Sequence, residues 1–175
     1  MWESVTGLTP NEFRKMTRFC NASDNSADNQ NRALVLGFGE DVRIAPGAIL
    51  RYPETITIGK KSFVGLFSYV NGDVTIGERV AIGPHCSLTA RNHVFNPETQ
   101  SFSSGKKAPI HVKDGAWLAA GCQITAGVTV GKCTLVCANA TVTRDTPDYA
   151  IIAGVPAKQV GHIDPESGEY HWYGK

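Results

Sequence analysis

A six-residue spacing of aliphatic side chains is the feature that most constrains the fold of this 175-residue chain. From Val42 onward the spacing continues through most of the sequence, apart from a slip of two residues near Ile56. Neither the 3.6-residue period of a helix nor the two-residue alternation of a strand produces such a series. The pattern therefore predicts a repeat architecture. Its aliphatic positions are Ile44, Leu50, Ile58, Val64, Val70, Ile76, Ile82, Leu88, Val112, Leu118, Ile124, Val130, Val136 and Val142.

The residues between the aliphatics indicate what each unit forms. The fourth residue after each aliphatic is mostly small, and glycine follows the aliphatic at Gly59, Gly65, Gly77, Gly83 and Gly131. We predict a short strand and then a turn in each unit, with glycine, Asn or Asp adopting the backbone angles that other residues resist. Three units close a triangular coil of about eighteen residues, and stacked coils pair as parallel strands. An antiparallel sandwich would instead show a turn every 8 to 12 residues.

Helical character is confined to the start of the chain. Thr9 to Glu12 have the order of a capping box, with proline at the first helical position, and predict a helix over about 9–20. The polar stretch 21–31 has little to bury and is predicted to be a loop. The sequence thus divides into an N-terminal segment (1–32), an all-β solenoid (33–160) and a C-terminal tail (161–175).

The repeat is interrupted once, between Val94 and Ile110, which predicts a protruding loop over about 94–111. His93 directly precedes this loop, and Asn92 is predicted at an inward position that small or aliphatic residues occupy in the other units. A buried polar group needs a partner, and loops on a rigid scaffold often form functional sites. We therefore predict a site around His93.

Two units, IGERVA at 76–81 and VGKCTL at 130–135, and the closing run 142–160 resemble the hexapeptide-repeat acyltransferases. The resemblance extends over about residues 42–160 and is clearest to the maltose, galactoside and polysaccharide O-acetyltransferases. It implies a left-handed parallel β-helix and an acetyl-CoA-dependent acetyltransferase that modifies a sugar or saccharide precursor. It also implies a homotrimer with an active site between two subunits.

The segment from Ala90 to Glu98 is similar to the family's motif around its catalytic histidine, except that Val94 replaces a proline. The resemblance implies that His93 is the general base on the acceptor hydroxyl or amine, which attacks the thioester directly. An imidazole can accept a proton near neutral pH. Tyr69, Asn71 and Asn92 are predicted to bind the acceptor.

Coenzyme A contacts also follow from the resemblance, in the last coils. The implied positions are Ala120, Ala138, Thr143, Arg144 and Lys158. The two basic residues of this set suit phosphate groups.

Other interpretations remain open at this stage. The chain could acetylate a xenobiotic such as a streptogramin or chloramphenicol, N-acetylate an amino sugar, or be a non-catalytic β-helix subunit. The γ-type carbonic anhydrases hold zinc with three histidines, and His85, His93 and His111 are candidates. Those enzymes have two histidines five apart on one coil, a spacing that is absent here, so no metal is predicted.

Charge and composition narrow the partners and the compartment. The net charge of +1, from 17 basic and 16 acidic residues, is untypical of a protein that binds nucleic acid or a membrane surface. No apolar run approaches the ~20 residues of a membrane helix, and the first residues lack the order of a secretory signal. The five cysteines contain no C-x-x-C pair and are predicted to be reduced. We therefore expect a cytoplasmic protein.

Overall fold

The computed structural model describes residues 7–21 and 26–174. Besides a 3-10 helix at Pro53–Thr55, two α-helices and nineteen strands occur within these ranges. In chain order they are α1 (Pro10–Asn21), α2 (Ser26–Val35), β1 (Arg43–Ile44), β2 (Ile49–Arg51), β3 (Ile56–Ile58), β4 (Phe63–Val64), β5 (Tyr69–Asn71), β6 (Val74–Ile76), β7 (Ala81–Ile82), β8 (Ser87–Thr89), β9 (Arg91–Asn96), β10 (Ser101–Lys107), β11 (Ile110–Val112), β12 (Trp117–Leu118), β13 (Gln123–Thr125), β14 (Thr129–Val130), β15 (Leu135–Val136), β16 (Thr141–Val142), β17 (Ala150–Gly154), β18 (Ala157–Ile163) and β19 (Tyr170–Trp172).

The strands of the solenoid form three parallel sheets, which we call faces A, B and C. Face A has the order β1-β4-β7-β12-β15-β17, face B the order β2-β5-β8-β13-β16, and face C the order β3-β6-β11-β14. The chain visits A, B and C in turn, as the triangular coil predicted. Strands β18 and β19 extend face A by antiparallel pairing at the C-terminal end.

The six-residue series forms the core. Every aliphatic of the series is buried except Ile58, which is partly buried and packs against the others. Because neighbouring coils place these side chains in register, for example Val70 beside Leu88, they stack into continuous apolar rows. The prediction of an all-β solenoid is therefore confirmed.

The glycines that follow the aliphatics have a different role from the predicted one. A Cβ on Gly65 would lie 2.5 Å from the carbonyl carbon of Gly83 on the next coil. Gly65 does not have a positive φ; that conformation occurs later in the turn, at residues such as Lys61 and Arg79. The glycines that follow the aliphatics are needed because the coils approach closely. The predicted turn angles occur instead at later turn positions, among them Gly47, Gly115, Gly121 and Asn139.

Small polar residues at the turns connect one coil to the next. The hydroxyl of Ser68 is buried; it donates a hydrogen bond of 2.9 Å to the carbonyl of Gly83 and accepts one from the amide of Cys86. Ser62 makes the equivalent pair of bonds with Gly77 and Val80. These bonds satisfy buried backbone groups where the chain turns between faces.

Helix α1 confirms the predicted capping box, since Thr9 and Glu12 exchange hydrogen bonds. The predicted loop at 21–31 was wrong where it overlaps α2. Ala33 is fully buried against the first coil, and Arg32 donates a hydrogen bond of 2.8 Å to the carbonyl of Ile44. The exposed end of a solenoid core needs a cover. This polar segment has a low intrinsic helix propensity, but packing against the core makes it helical.

The predicted protruding loop is an antiparallel hairpin of β9 and β10 at the edge between faces B and C. Ile124 pairs with Leu88, 36 positions earlier, whereas Leu88 pairs with Val70, 18 positions earlier. The hairpin thus takes up one coil length, and Ala108 resumes the solenoid by a hydrogen bond to Ala90. Ala90 is the last buried residue before the excursion, and Asn92 is exposed, so its predicted inward position was wrong.

Candidate active site

A cleft with a volume of about 390 Å³ lies where the hairpin leaves the edge between faces B and C. Its walls come from face B, from the hairpin and from the turn after β2. The polar side chains that line it include Arg51, Tyr52, Asn71, Arg91, Asn92 and His93. Three of the four residues predicted for catalysis and acceptor binding are thus close together.

Strand register explains one wall of the cleft. Arg51, Asn71 and Thr89 are aligned on adjacent strands, each one residue beyond a buried aliphatic. Side chains alternate across a strand, so all three lie on the outer surface of face B. Tyr69 is two residues before Asn71 on the same surface. It is half-buried and interacts with Arg51, which borders the cleft.

His93 is held by the hairpin. Its Nδ1 lies 3.0 Å from the carbonyl oxygen of Ser103 on the opposite strand. Because a carbonyl oxygen only accepts hydrogen bonds, Nδ1 carries the proton and donates it. In the neutral ring Nε2 then has a free lone pair, and it makes no hydrogen bond to any residue within 7–21 or 26–174. An exposed imidazole in this tautomer can accept a proton through Nε2.

An aromatic and cationic group that the sequence pattern did not predict shares the cleft with His93. The guanidinium carbon of Arg91 lies 3.9 Å from the centre of the Tyr52 ring, and that of Arg51 lies 5.3 Å from the same centre. Hydrogen bonding to Tyr69, and then to Tyr52, raises the pKa of Arg51. The alignment of residues 51, 71 and 89 on adjacent strands could have indicated this group. It can be recognised only when the register between the coils is known.

Two buried polar atoms of the cleft have no hydrogen-bond partner in the described part of the chain. They are Oδ1 of Asn71, an acceptor, and Nε of Arg91, a donor. Leaving such an atom unsatisfied costs about 1–3 kcal/mol. Both atoms are shielded from solvent, so water or a ligand reaches them only if the Asn71 and Arg91 side chains shift.

The residues implied for coenzyme A binding do not come together in one chain. Ala120 and Ala138 are exposed on turns between faces A and B, whereas Thr143 and Arg144 follow β16 at the edge between B and C. Lys158 is exposed on β18, opposite Ala153 of β17. These residues thus lie at two edges of the triangular prism that faces A, B and C form, and at the C-terminal end of face A.

The three histidines considered for zinc occupy different places. His85 stacks on Phe67 at the edge between faces A and B, with ring centres 5.5 Å apart, while His111 lies on the outer surface of face C. Among the residues of the described ranges, no group of three His, Cys, Asp or Glu side chains is arranged to hold a metal ion. Neither described helix has the length and apolarity needed to cross a membrane.

Comparison with known proteins identifies the family. No family model matches the chain. Nodulation protein L of Rhizobium meliloti (strain 1021) is 30% identical over 154 residues, which are 83% of this chain and 82% of that protein. Galactoside O-acetyltransferase of Escherichia coli (strain K12) is 27% identical over 136 residues, 77% of this chain and 67% of the relative.

Solved structures share the fold. A maltose O-acetyltransferase from Clostridium difficile 630 superposes with a TM-score of 0.71 at 21% identity, covering 86% of this chain and 84% of that one. A galactoside acetyltransferase in complex with coenzyme A has a TM-score of 0.64 at 23% identity, covering 93% and 83%.

The solenoid is that of the left-handed β-helix acyltransferases. Within this class the chain belongs to the hexapeptide-repeat acetyltransferase family. The predictions of the fold class, of the family and of an acyltransferase enzyme are thereby confirmed.

Proposed function

We propose that this enzyme transfers the acetyl group of acetyl-CoA to a hydroxyl of a saccharide, with His93 as the general base. The observation that carries the proposal is the hydrogen bond from Nδ1 of His93 to the Ser103 carbonyl. It fixes the tautomer in which Nε2 accepts a proton, and it holds the ring beside the cleft. The relative from Escherichia coli is a galactoside O-acetyltransferase, which supports a sugar hydroxyl as the acceptor.

The chemistry needs one proton to move in each direction. Nε2 of His93 takes the proton of the acceptor hydroxyl as its oxygen forms a bond to the thioester carbonyl carbon. The carbon–sulfur bond then breaks, and the imidazolium returns the proton to the coenzyme A thiolate. The products are an acetyl ester and free coenzyme A, and no covalent enzyme intermediate is required. Asn71 and Asn92 border the same cleft and would orient the acceptor.

The placement of the proposed coenzyme A residues favours an oligomer. Ala120 and Ala138 lie on one edge of the prism, whereas Thr143 and Arg144 lie on another. A side of six residues spans up to about 20 Å, so one cofactor contacts both pairs most simply between two neighbouring chains. We propose a homotrimer with such a site at each interface, in which Arg144 and Lys158 bind phosphate groups. Light scattering after size-exclusion chromatography measures the mass that tests this.

An acceptor screen tests the reaction. Purified protein is supplied with acetyl-CoA and with neutral sugars, acidic sugars, amino sugars, chloramphenicol and a streptogramin, and the released coenzyme A thiol is measured. We expect release with a saccharide hydroxyl acceptor, and a rate about 10²–10⁴-fold lower for His93→Ala. His162→Ala is the matched control, because His162 is exposed in the C-terminal strands and stacks on His171.

Three results would contradict the proposal. Equal rates for His93→Ala and the parent would remove His93 as the base. Release only with amino sugars or with the antibiotics would assign the chain to those acceptors instead. Absence of release with the whole panel, from protein that binds acetyl-CoA, would favour a non-catalytic role.

A further inference from the structure

Two guanidinium groups in the His93 cleft have no carboxylate partner. Neither Arg51 nor Arg91 forms an ion pair with any described residue. The ion pairs within the described ranges lie outside the cleft and involve Arg79 and Lys113. No Asp or Glu is among the described residues that line the cleft. Two positive charges in one recess, without an internal counter-ion, create a local positive potential that attracts anions.

Arg91 is held in place from two sides. Its guanidinium carbon lies 3.9 Å from the centre of the Tyr52 ring. Gly72 also packs against Arg91: a Cβ at Gly72 would approach Nε of Arg91 to 3.0 Å and Cγ to 3.2 Å. A side chain at position 72 would therefore displace Arg91. Stacking on an aromatic face restricts the guanidinium and leaves its nitrogen edge available for a planar anion.

The backbone of Tyr52 has a left-handed turn conformation, which residues such as Phe67 and His85 also have at the turns of other coils. Its φ of 62° lies in the left-handed region, which is uncommon for a residue other than glycine. The following turn is closed by Thr55, whose hydroxyl donates a hydrogen bond of 2.9 Å to the Tyr52 carbonyl. The Tyr52 ring contacts both arginines, since the guanidinium carbon of Arg51 also lies 5.3 Å from its centre.

The hydrogen-bonding groups of the cleft have complementary roles. Guanidinium groups only donate hydrogen bonds, and they form paired contacts with carboxylate and phosphate oxygens. Asn71 lines the cleft, and its buried Oδ1, which has no partner in the described ranges, would accept a hydrogen bond from a sugar hydroxyl once the amide turns toward the cleft. His93 requires a second hydroxyl at Nε2.

We propose, on the basis of the proposed function, that the acceptor is an anionic saccharide whose carboxylate or phosphate binds between Arg51 and Arg91. Its reacting hydroxyl then lies at Nε2 of His93. Arg51 and Arg91 are the residues that determine this specificity.

Equilibrium binding to the full chain tests the inference without requiring turnover. Isothermal titration calorimetry is performed with methyl β-glucuronide, glucose 1-phosphate and methyl β-glucoside, which provide a carboxylate, a phosphate and a neutral reference. We expect at least one anionic sugar to bind about 10- to 100-fold more tightly than the neutral glucoside, as for charge-assisted contacts. The stronger of the two identifies the anionic group.

Substitutions then locate the effect. Arg51→Gln and Arg91→Gln are each expected to weaken binding of the preferred anionic sugar by tenfold or more, with neutral glucoside binding unchanged. Arg43→Gln is the matched control, because Arg43 also lies over an aromatic ring, 5.4 Å from the centre of Phe63, but on face A. Arg51 is exposed, so its variant should fold even if Arg91→Gln does not; thermal unfolding checks both.

Three results would overturn the inference. The three sugars bind equally, neither anionic sugar binds at millimolar concentration, or both arginine variants keep the preference for the anionic sugar. These results are separate from those of the acceptor screen. An enzyme that acetylates neutral sugars at a His93-dependent rate, without anionic preference, would keep the proposed function and refute the role of the arginines. Tight anionic binding that depends on Arg51, without acetyl transfer to any acceptor, would refute the proposed function alone.

Discussion

Gly65→Ala tests whether close approach of the coils is what requires glycine after the aliphatic. The added methyl carbon would lie 2.5 Å from the carbonyl carbon and 2.6 Å from the carbonyl oxygen of Gly83, and 2.7 Å from the carbonyl oxygen of Ile82. Ordinary van der Waals contact begins near 3.4 Å. The two coils would therefore have to separate locally by almost 1 Å.

The loss in free energy of unfolding follows from the packing and from the hydrogen bonds at this contact. The amide of Gly65 donates to the carbonyl of Ile82 over 2.8 Å, and the hydroxyl of Ser68 donates to the carbonyl of Gly83 over 2.9 Å. Overpacking costs about 1–3 kcal/mol, and weakening a hydrogen bond costs about 1 kcal/mol. We expect Gly65→Ala to lower the free energy of unfolding by about 2–4 kcal/mol.

Urea unfolding followed by circular dichroism at one protein concentration measures this difference. Gly39→Ala is the matched control: a Cβ at Gly39 meets nothing within 4 Å, and its φ is not positive. The control should leave stability unchanged or raise it slightly through the unfolded chain. If Gly65→Ala and Gly39→Ala unfold at the same urea concentration, close packing is not the reason for these glycines.

Two further predictions concern titrating groups. Hydrogen bonds from the backbone amide of Lys132, and then from the Lys113 ammonium, lower the pKa of Asp148 below its ordinary 3.8. The ionised carboxylate therefore stabilises the folded state above pH 3.8. This stabilisation is lost as the pH falls through the lowered pKa. Between pH 5 and 2 the urea midpoint of the parent should fall more steeply than that of Asp148→Asn; parallel curves would show that Asp148 contributes nothing. Hydrogen bonding to Cys86, together with burial, raises the pKa of the Cys122 thiol. Iodoacetamide at pH 8 should therefore label Cys122 only after the protein is unfolded in urea. Mass spectrometry of the digested protein identifies the labelled cysteine. Labelling of the folded protein at the rate of a free thiol would contradict its burial.

Much of the architecture could be predicted from local pattern. Aliphatics at a constant spacing must face one interior if the chain closes a coil every three units, and all of them do so except Ile58, which is partly covered. The same pattern did not reveal helix α2, because the polar stretch around Asn29 and Arg32 becomes helical only by covering the open end of the core. The missing aliphatics predicted that the chain leaves the solenoid after Val94, but they did not predict that the excursion forms an antiparallel hairpin.

The site divides in the same way. His93 could be proposed as a site residue from a break in the repeat and from family resemblance, because a histidine at the start of an excursion is visible along the chain. The outward position of Asn92, the tautomer that Ser103 imposes on His93 and the stacking of Arg91 on Tyr52 depend on residues that are distant in sequence. Periodicity by itself determined which side chains are buried, since burial repeats with the coil. Only the tertiary structure decided which exposed groups meet, because that depends on the register between coils and on the direction in which the hairpin leaves them.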